Sequence, residues 1–333
     1  MRQVIFVTFA LFSLLANAQS DSSYFESYRN RVVLYSDLGF KAAPFSIRDN
    51  LPNGMNSIAF KHNLKPIMGI GIKYKWFGLR LSFGLPGHLR SVSKYGRSDY
   101  FDAGINFSIK QTYWDIDFRS YTGYVIQDAY KWNDTLDFTS PNLPRENTRT
   151  SSFSLNSWYF FSKSFRMPAV SGINSEFKHS SGTWYLRSTL NVFGVGNGVQ
   201  PILPSELIDS TDIKSFVTSA ISVDIGAIPG YAYTMRKGYW QASVFGGFGF
   251  VLQAKGFNTI DKDRGSVGIA PRFDIRFIGG FSKPRYFVWF VTDFDNKSIA
   301  FQEMRYAQTF YSMSIVGGVR LKTKKERRKA LSE

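Results

Sequence analysis

The chain contains no cysteine in its 333 residues. Without thiols there is no disulfide framework, so stability must come from packing, from a sheet, or from a membrane. Histidine is nearly as scarce. His62, His88 and His179 are too scattered to hold a transition metal, and no metal or other cofactor is expected. After the first segment no apolar run reaches about 18 residues, which excludes crossing a membrane with helices. Acidic residues are also in deficit, 25 against 41 Lys and Arg, for a formal charge of +16. In a cytoplasmic protein that imbalance would point to nucleic acid.

The first residues argue for a different compartment. Met1, Arg2 and Gln3 form a short basic start, and Val4 to Leu15 a mostly apolar run too short to span a bilayer. Ala16-Asn17-Ala18 then supplies small residues around a cleavage point. Charge, apolar run and cleavage site in that order are the pattern of a secretory signal peptide. Residues 1–18 are expected to be removed, which makes nucleic acid an unexpected partner. Lipid headgroups, and small solutes or anions, become the expected ones.

What the chain has in abundance is aromatic side chains, 17% of the sequence with 32 Phe and 18 Tyr, together with 28 Gly. Its mean hydropathy, −0.18, is low for a membrane protein but suits a sheet with one face toward lipid and one toward water. Apolar and polar residues alternate with period two over segments of about nine or more residues, the length a tilted strand needs to cross a bilayer. In one such segment Met68, Ile70, Ile72, Tyr74 and Trp76 alternate with Gly69, Gly71, Lys73 and Lys75. Phe77-Gly78 is read as the turn, after which Leu79, Leu81, Phe83 and Leu85 resume the pattern.

Further segments lie at 31–40, 101–110, 114–119, 150–161, 169–179, 183–193, 216–228, 238–253, 265–280, 284–295 and 309–321. The expected fold is an all-β, transmembrane, antiparallel up-and-down barrel over 19–321, followed by a basic tail over 322–333. Thirteen segments are visible, whereas a single-chain bacterial barrel has an even number of strands. About twelve strands are expected, with 12–14 possible; the miscount falls among the three segments between 126–149 and 194–215, or at the N-terminus. Residues 162–168 read as a short turn and 126–149 as the longest loop.

Several local motifs resemble an outer-membrane barrel family of Bacteroidetes that has no assigned function. They are the Met68–Trp76 segment with Phe77-Gly78-Leu79, Phe101-Asp102, Ser180-Ser181-Gly182, and Pro229-Gly230-Tyr231-Ala232-Tyr233-Thr234. The resemblance implies a barrel in the outer membrane of a Gram-negative bacterium, and it implies no reaction.

His179 and Ser181 resemble the His-x-Ser element of outer-membrane phospholipase A and of lipid A deacylase barrels. On this register both point outward with Ile173 and Phe177, opposite Asn174, Glu176 and Lys178. A nucleophile of this kind needs a third group to orient its base. Asn191 points inward, and Gly182 replaces the Asn that follows Ser in those enzymes, so the pair also reads as a polar turn beside an interfacial His. The inward face is expected to carry Lys73, Lys75, Arg80, Lys110, Arg119, Lys178, Arg187, Arg272 and Arg276 against Asp102, Asp115, Asp117, Glu176, Asp224 and Asp274. Nine basic residues to six acidic would make an open lumen mildly anion-selective; paired charges would close it. The functions expected are a non-enzymatic narrow channel or a structural or assembly component, with a lipid hydrolase or a surface adhesin displaying 126–149 as alternatives.

Overall fold

The structure, a computed structural model, describes residues 24–48, 51, 55–211, 213–259, 263–301 and 304–323. The expected signal peptide and most of the basic tail lie outside the described residues. In chain order the strands are β1 (Phe25–Ser27), β2 (Val32–Ala42), β3 (Phe45–Arg48), β4 (Ser57–Lys61), β5 (Ile67–Tyr74), β6 (Phe77–Gly84), β7 (Asp99–Ile109) and β8 (Thr112–Ile126). They continue with β9 (Leu143–Phe160), β10 (Ser175–Phe177), β11 (Ser181–Gly196), β12 (Val217–Lys237), β13 (Trp240–Thr259), β14 (Asp263–Ser282), β15 (Tyr286–Phe301) and β16 (Met304–Leu321).

Twelve of these form one antiparallel ring. The last strand pairs with the first long one, from Tyr311 against Ala42 to Leu321 against Val32, so the cylinder has no free edge. Closure leaves no unpaired strand edge along the wall, which a sheet in hydrocarbon requires. Alternation sets the two faces. In β12, buried and exposed side chains exchange almost without a break from Val217 to Lys237, with Ile221, Val223, Ile225, Tyr231 and Tyr233 outward.

The strand count is even because segment 169–179 is not a wall strand. It belongs to an inserted stretch, 161–180, containing a single helical turn, Met167–Val170, and the three-residue β10, which pairs with β1. Residues 162–168 are therefore the start of this insertion and not a short turn. Pro168 opens the helical turn, and Gly172, at φ +57°, follows its end. Gly172 also lies flat on a wall ring, since a Cβ there would collide with Trp289.

One end of the barrel carries tight turns. Lys75-Trp76 joins β5 to β6 and Lys110-Gln111 joins β7 to β8, with Lys75 and Lys110 both at φ +53°. This corrects the expected turn at Phe77-Gly78, since Phe77 already pairs with Tyr74. The other end carries the long links, including 127–142, two thirds of the expected 126–149 loop; β9 begins at Leu143.

At this loop end the wall changes. β3 pairs with β16 and β4 with β8, so β3 and β4 replace β2, β5, β6 and β7 around the circumference. Two strands substitute for four, and the cylinder narrows. The strands β12–β14, at 20–21 residues, are about twice the length needed to cross a bilayer.

Candidate functional site

Each end of the lumen is filled by an apolar cluster. In the collar, Phe45 and Phe60 stack at 4.3 Å, and Tyr124, Phe193, Phe257, Ile299, Phe301 and Tyr306 pack around them. Ile202, Leu203 and Leu207 close the cluster from the β11–β12 link. At the turn end, Phe165, Met167, Ala169, Val170 and Phe177 of the insertion, with Phe25 of β1, pack on Tyr35, Trp158, Phe160, Tyr185, Phe245 and Trp289. Gln241 of the wall donates to the Ala169 and Val170 carbonyls at 3.0 and 3.1 Å, anchoring this plug.

Between the plugs the lumen is charged. Inward positions carry Lys41, Lys73, Arg80, Arg119, Arg187, Arg272, Arg276 and Lys297, against Asp37, Asp102, Asp115, Asp117, Asp224, Asp274, Asp293 and Asp295. The two sets are equal in number, so the expected basic excess is corrected to balance. Lys75 and Lys110 occupy the exposed turns, and Lys178 is exposed at the turn end. Glu176 is buried, within the plug and not the wall. The other predicted luminal residues, Lys73, Arg80, Asp102, Asp115, Asp117, Arg119, Arg187, Asp224, Arg272, Asp274 and Arg276, do face inward. Asp37, Lys41, Asp293, Asp295 and Lys297 were not foreseen. Their signal was present: Asp37 and Lys41 keep the parity of buried Val33 and Tyr35 along β2.

Most of these charges lie in ion pairs along the inner face of the wall. Asp102 accepts from Lys41 and Tyr100, and from Arg80 at 3.4 Å; Arg80 lies 4.0 Å from Asp117, which pairs with Arg119. Across the barrel Asp224 accepts from Arg272, from Ser222 at 2.7 Å and from Gln253 at 2.9 Å. Arg187 bridges Asp274 at 3.1 Å and Asn156 at 3.0 Å, and Arg276 pairs with Asp293. Rings cover the guanidiniums: Arg119 lies 4.0 Å from the centre of Phe310, Arg187 5.1 Å from Trp158 and Arg272 5.1 Å from Phe193. A charge removed from water is costly unless paired and hydrogen-bonded, and this network supplies both.

The remaining space is small. A cavity of about 160 Å³ lies among Asp37, Arg80, Asp115, Arg119 and Asp293, with Ser171 and Ile173 of the plug as its floor. A second, of about 40 Å³, touches Asn156, Arg187 and Asp274. Both are polar and hold water-sized groups.

The proposed hydrolase pair does not form. Ser181 donates to the Ser164 carbonyl at 3.1 Å and shares a hydrogen bond with the Ser164 hydroxyl at 2.9 Å. Among the described residues no hydrogen bond joins Ser181 to His179, which is exposed. Phe177 points into the plug and not outward, because β10 is not part of the wall. Asn191 does point inward, accepting from Ser154 at 3.0 Å.

His62, one of the three scattered histidines, has a structural place. It lies in the link after β4, buried against Tyr121 and Tyr124. Its Nε2 accepts the Ala43 amide at 2.9 Å and its Nδ1 donates to the Asn63 carbonyl at 3.0 Å. Burial pushes the imidazole down to about 4. An unfolded ring titrates near ~6.5, so between these values the unfolded chain binds more protons, and stability falls as the pH drops through that window. Local stability is expected to fall by about 3 kcal/mol from pH 7 to below 4. Hydrogen exchange at the Ala43 amide, corrected for intrinsic rate, reads this; protection that stays level across the window contradicts it.

Fold and lumen together define a closed β-barrel with a plug at each end and a balanced ionic layer between. Residues 19–320 match the family described as a domain of unknown function, DUF4421, and the chain belongs to that family. That agrees with the resemblance to a barrel family without an assigned function. No curated protein matches the sequence. Among solved structures, the outer-membrane protease OmpT of Escherichia coli is similar at 9% identity and a TM-score of 0.40, over 89% of this chain and 98% of that one. The translocator domain of the autotransporter NalP of Neisseria meningitidis gives 8% and 0.43, over 94% and 92%. The toluene transporter TodX of P. putida gives 6% and 0.31, over 88% and 91%.

Proposed function

We propose that the protein is an outer-membrane barrel that serves as a closed structural component and holds no standing pore. The turn end and the described ends of the chain would face the periplasm and the collar the outside, since barrels of this class have short periplasmic turns and long outer loops. The export pattern at residues 1–18 supports this compartment. So does a girdle of exposed aromatics near the turn end, including Tyr74, Trp76, Tyr159, Trp184, Tyr239, Trp240 and Tyr286. This reading assigns no reaction to His179 or Ser181.

One observation carries the proposal: the lumen is interrupted in three successive layers, apolar, ionic and apolar. A solute would have to displace rings at both ends and separate ion pairs between them. Planar-bilayer recordings of the refolded protein are expected to show no steady conductance in molar salt. Stable, ohmic single-channel steps from folded barrel would overturn the reading.

A further inference from the structure

The outward wall is bulky and apolar almost everywhere, and one gap in it lies near the turn end. Ala242 and Gly279 stand opposite each other on β13 and β14. The next outward pair toward the turns is Trp240 and Phe281, while Met235 and Phe290 flank the gap on β12 and β15. Small residues between large ones leave a notch of about 710 Å³ whose lining is almost entirely hydrocarbon. Lys237 stands on its lip. In the adjoining β14–β15 turn the Lys283 ammonium lies 5.4, 5.6 and 5.9 Å from the ring centres of Tyr239, Phe281 and Tyr286. Among the described residues neither lysine makes an ion pair.

We propose that this notch binds one phospholipid of the periplasmic leaflet, an acyl chain lying over Ala242 beside the Phe277 ring that covers Gly279, and the phosphate meeting Lys237 and Lys283. The proposal rests on the outer-membrane reading. A notch this size falls in the range of small-molecule sites, about 300–1,000 Å³. Lys237 is exposed on the lip, and Lys283 holds its ammonium among the rings of Tyr239, Phe281 and Tyr286, where an interfacial lysine can reach a headgroup phosphate. Their charge selects the occupant. A second copy of the chain seated on the same face would bring both lysine pairs together without an anion, whereas a lipid phosphate supplies one.

The test uses full-length protein refolded into phosphatidylcholine vesicles containing one tenth phosphatidylglycerol, then extracted in mild detergent and assayed for lipid retained per barrel. The wild type is expected to keep about one phosphatidylglycerol. Ala242→Phe fills the notch from the lipid side and should lower retention about tenfold or more, with the barrel still folded by its heat-modifiable migration. Lys237→Gln with Lys283→Gln should keep a lipid but lower the preference for phosphatidylglycerol over phosphatidylcholine by about 30-fold. Equal retention by wild type and Ala242→Phe overturns the site. So does a disulfide-linked dimer formed efficiently by Met235→Cys, which would assign the notch to a second copy. Protein that inserts and folds yet keeps no lipid refutes only this inference; protein that stays outside the vesicles refutes the membrane reading itself.

Discussion

Glu176→Ala is expected to unlatch the turn-end plug without opening a pore. The Glu176 carboxylate collects Arg236 at 2.8 Å, Arg320 at 3.1 Å and the Ser282 hydroxyl, all buried. Arg320 in turn donates to the Ile173 carbonyl at 2.8 Å, to the Gly172 carbonyl and to Ser282 at 2.8 Å, tying the plug backbone to β16. Removing the carboxylate leaves two guanidiniums buried without a counter-charge, which costs about 3–5 kcal/mol. That cost falls on the closed plug alone, because with the plug displaced both groups reach water. The open fraction should therefore rise by about two to three and a half powers of ten, at roughly 1.4 kcal/mol for each.

The absence of native cysteine makes the measurement clean. Ser171→Cys places a thiol on the plug facing the larger cavity, and its modification by a membrane-impermeant reagent reports opening. The rate should climb steeply in Glu176→Ala and by an intermediate amount in Glu176→Gln, which keeps an acceptor. Conductance should remain absent in both, because the collar cluster is untouched. An unchanged labelling rate would show that the carboxylate does not latch the plug.

The wall was legible in the sequence because lipid imposes period two on every strand that crosses it. Alternation specifies which side a residue faces, and Asp102, Asp115, Asp117, Arg187, Asp224 and Arg272 lie on the inner side at the parity it gives them. It gives no partner, since residues that pair inside the barrel lie on non-adjacent strands far apart in the chain; Arg272 and Asp224 are 48 positions apart. Nor does it mark where a strand stops. Lys75 and Lys110 continue the inward parity of β5 and β7, and lysine at positive φ offers none of the Gly or Asn signals that announce a two-residue turn.

The insertion is the opposite case. Residues 169–179 alternate well enough to pass for a strand, yet Pro168 and Gly172 mark the start and finish of a helical turn. Giving those two residues more weight than the alternation would have settled the parity. The plugs themselves had no local signal, because Phe25, Phe165 and Phe177 carry no mark of being luminal until β10 pairs with β1.

Asp224→Ala is expected to destabilise the whole barrel by about 3–5 kcal/mol, because Arg272 then remains buried against Phe193 without its ion-pair partner, the Asp295 carboxylate attracting it only from beyond contact distance. Arg272 keeps a 3.0 Å bond to the Asn296 carbonyl, which satisfies one donor but neutralises nothing. The double variant Asp224→Ala, Arg272→Met should recover most of the loss, since replacing both members of a buried pair is often neutral. Asp99→Ala, at a 2.7 Å pair with Lys65 where the Asp is 84% exposed, should change stability by less than about 1 kcal/mol. Urea midpoints of barrels refolded in vesicles would rank the three. The ranking also separates the two readings of the lumen. In a wet channel, water reaches Arg272 once Asp224 is gone, and the single variant should unfold near the wild-type midpoint. In a closed chamber no water replaces the carboxylate, and only removal of the arginine restores the wall.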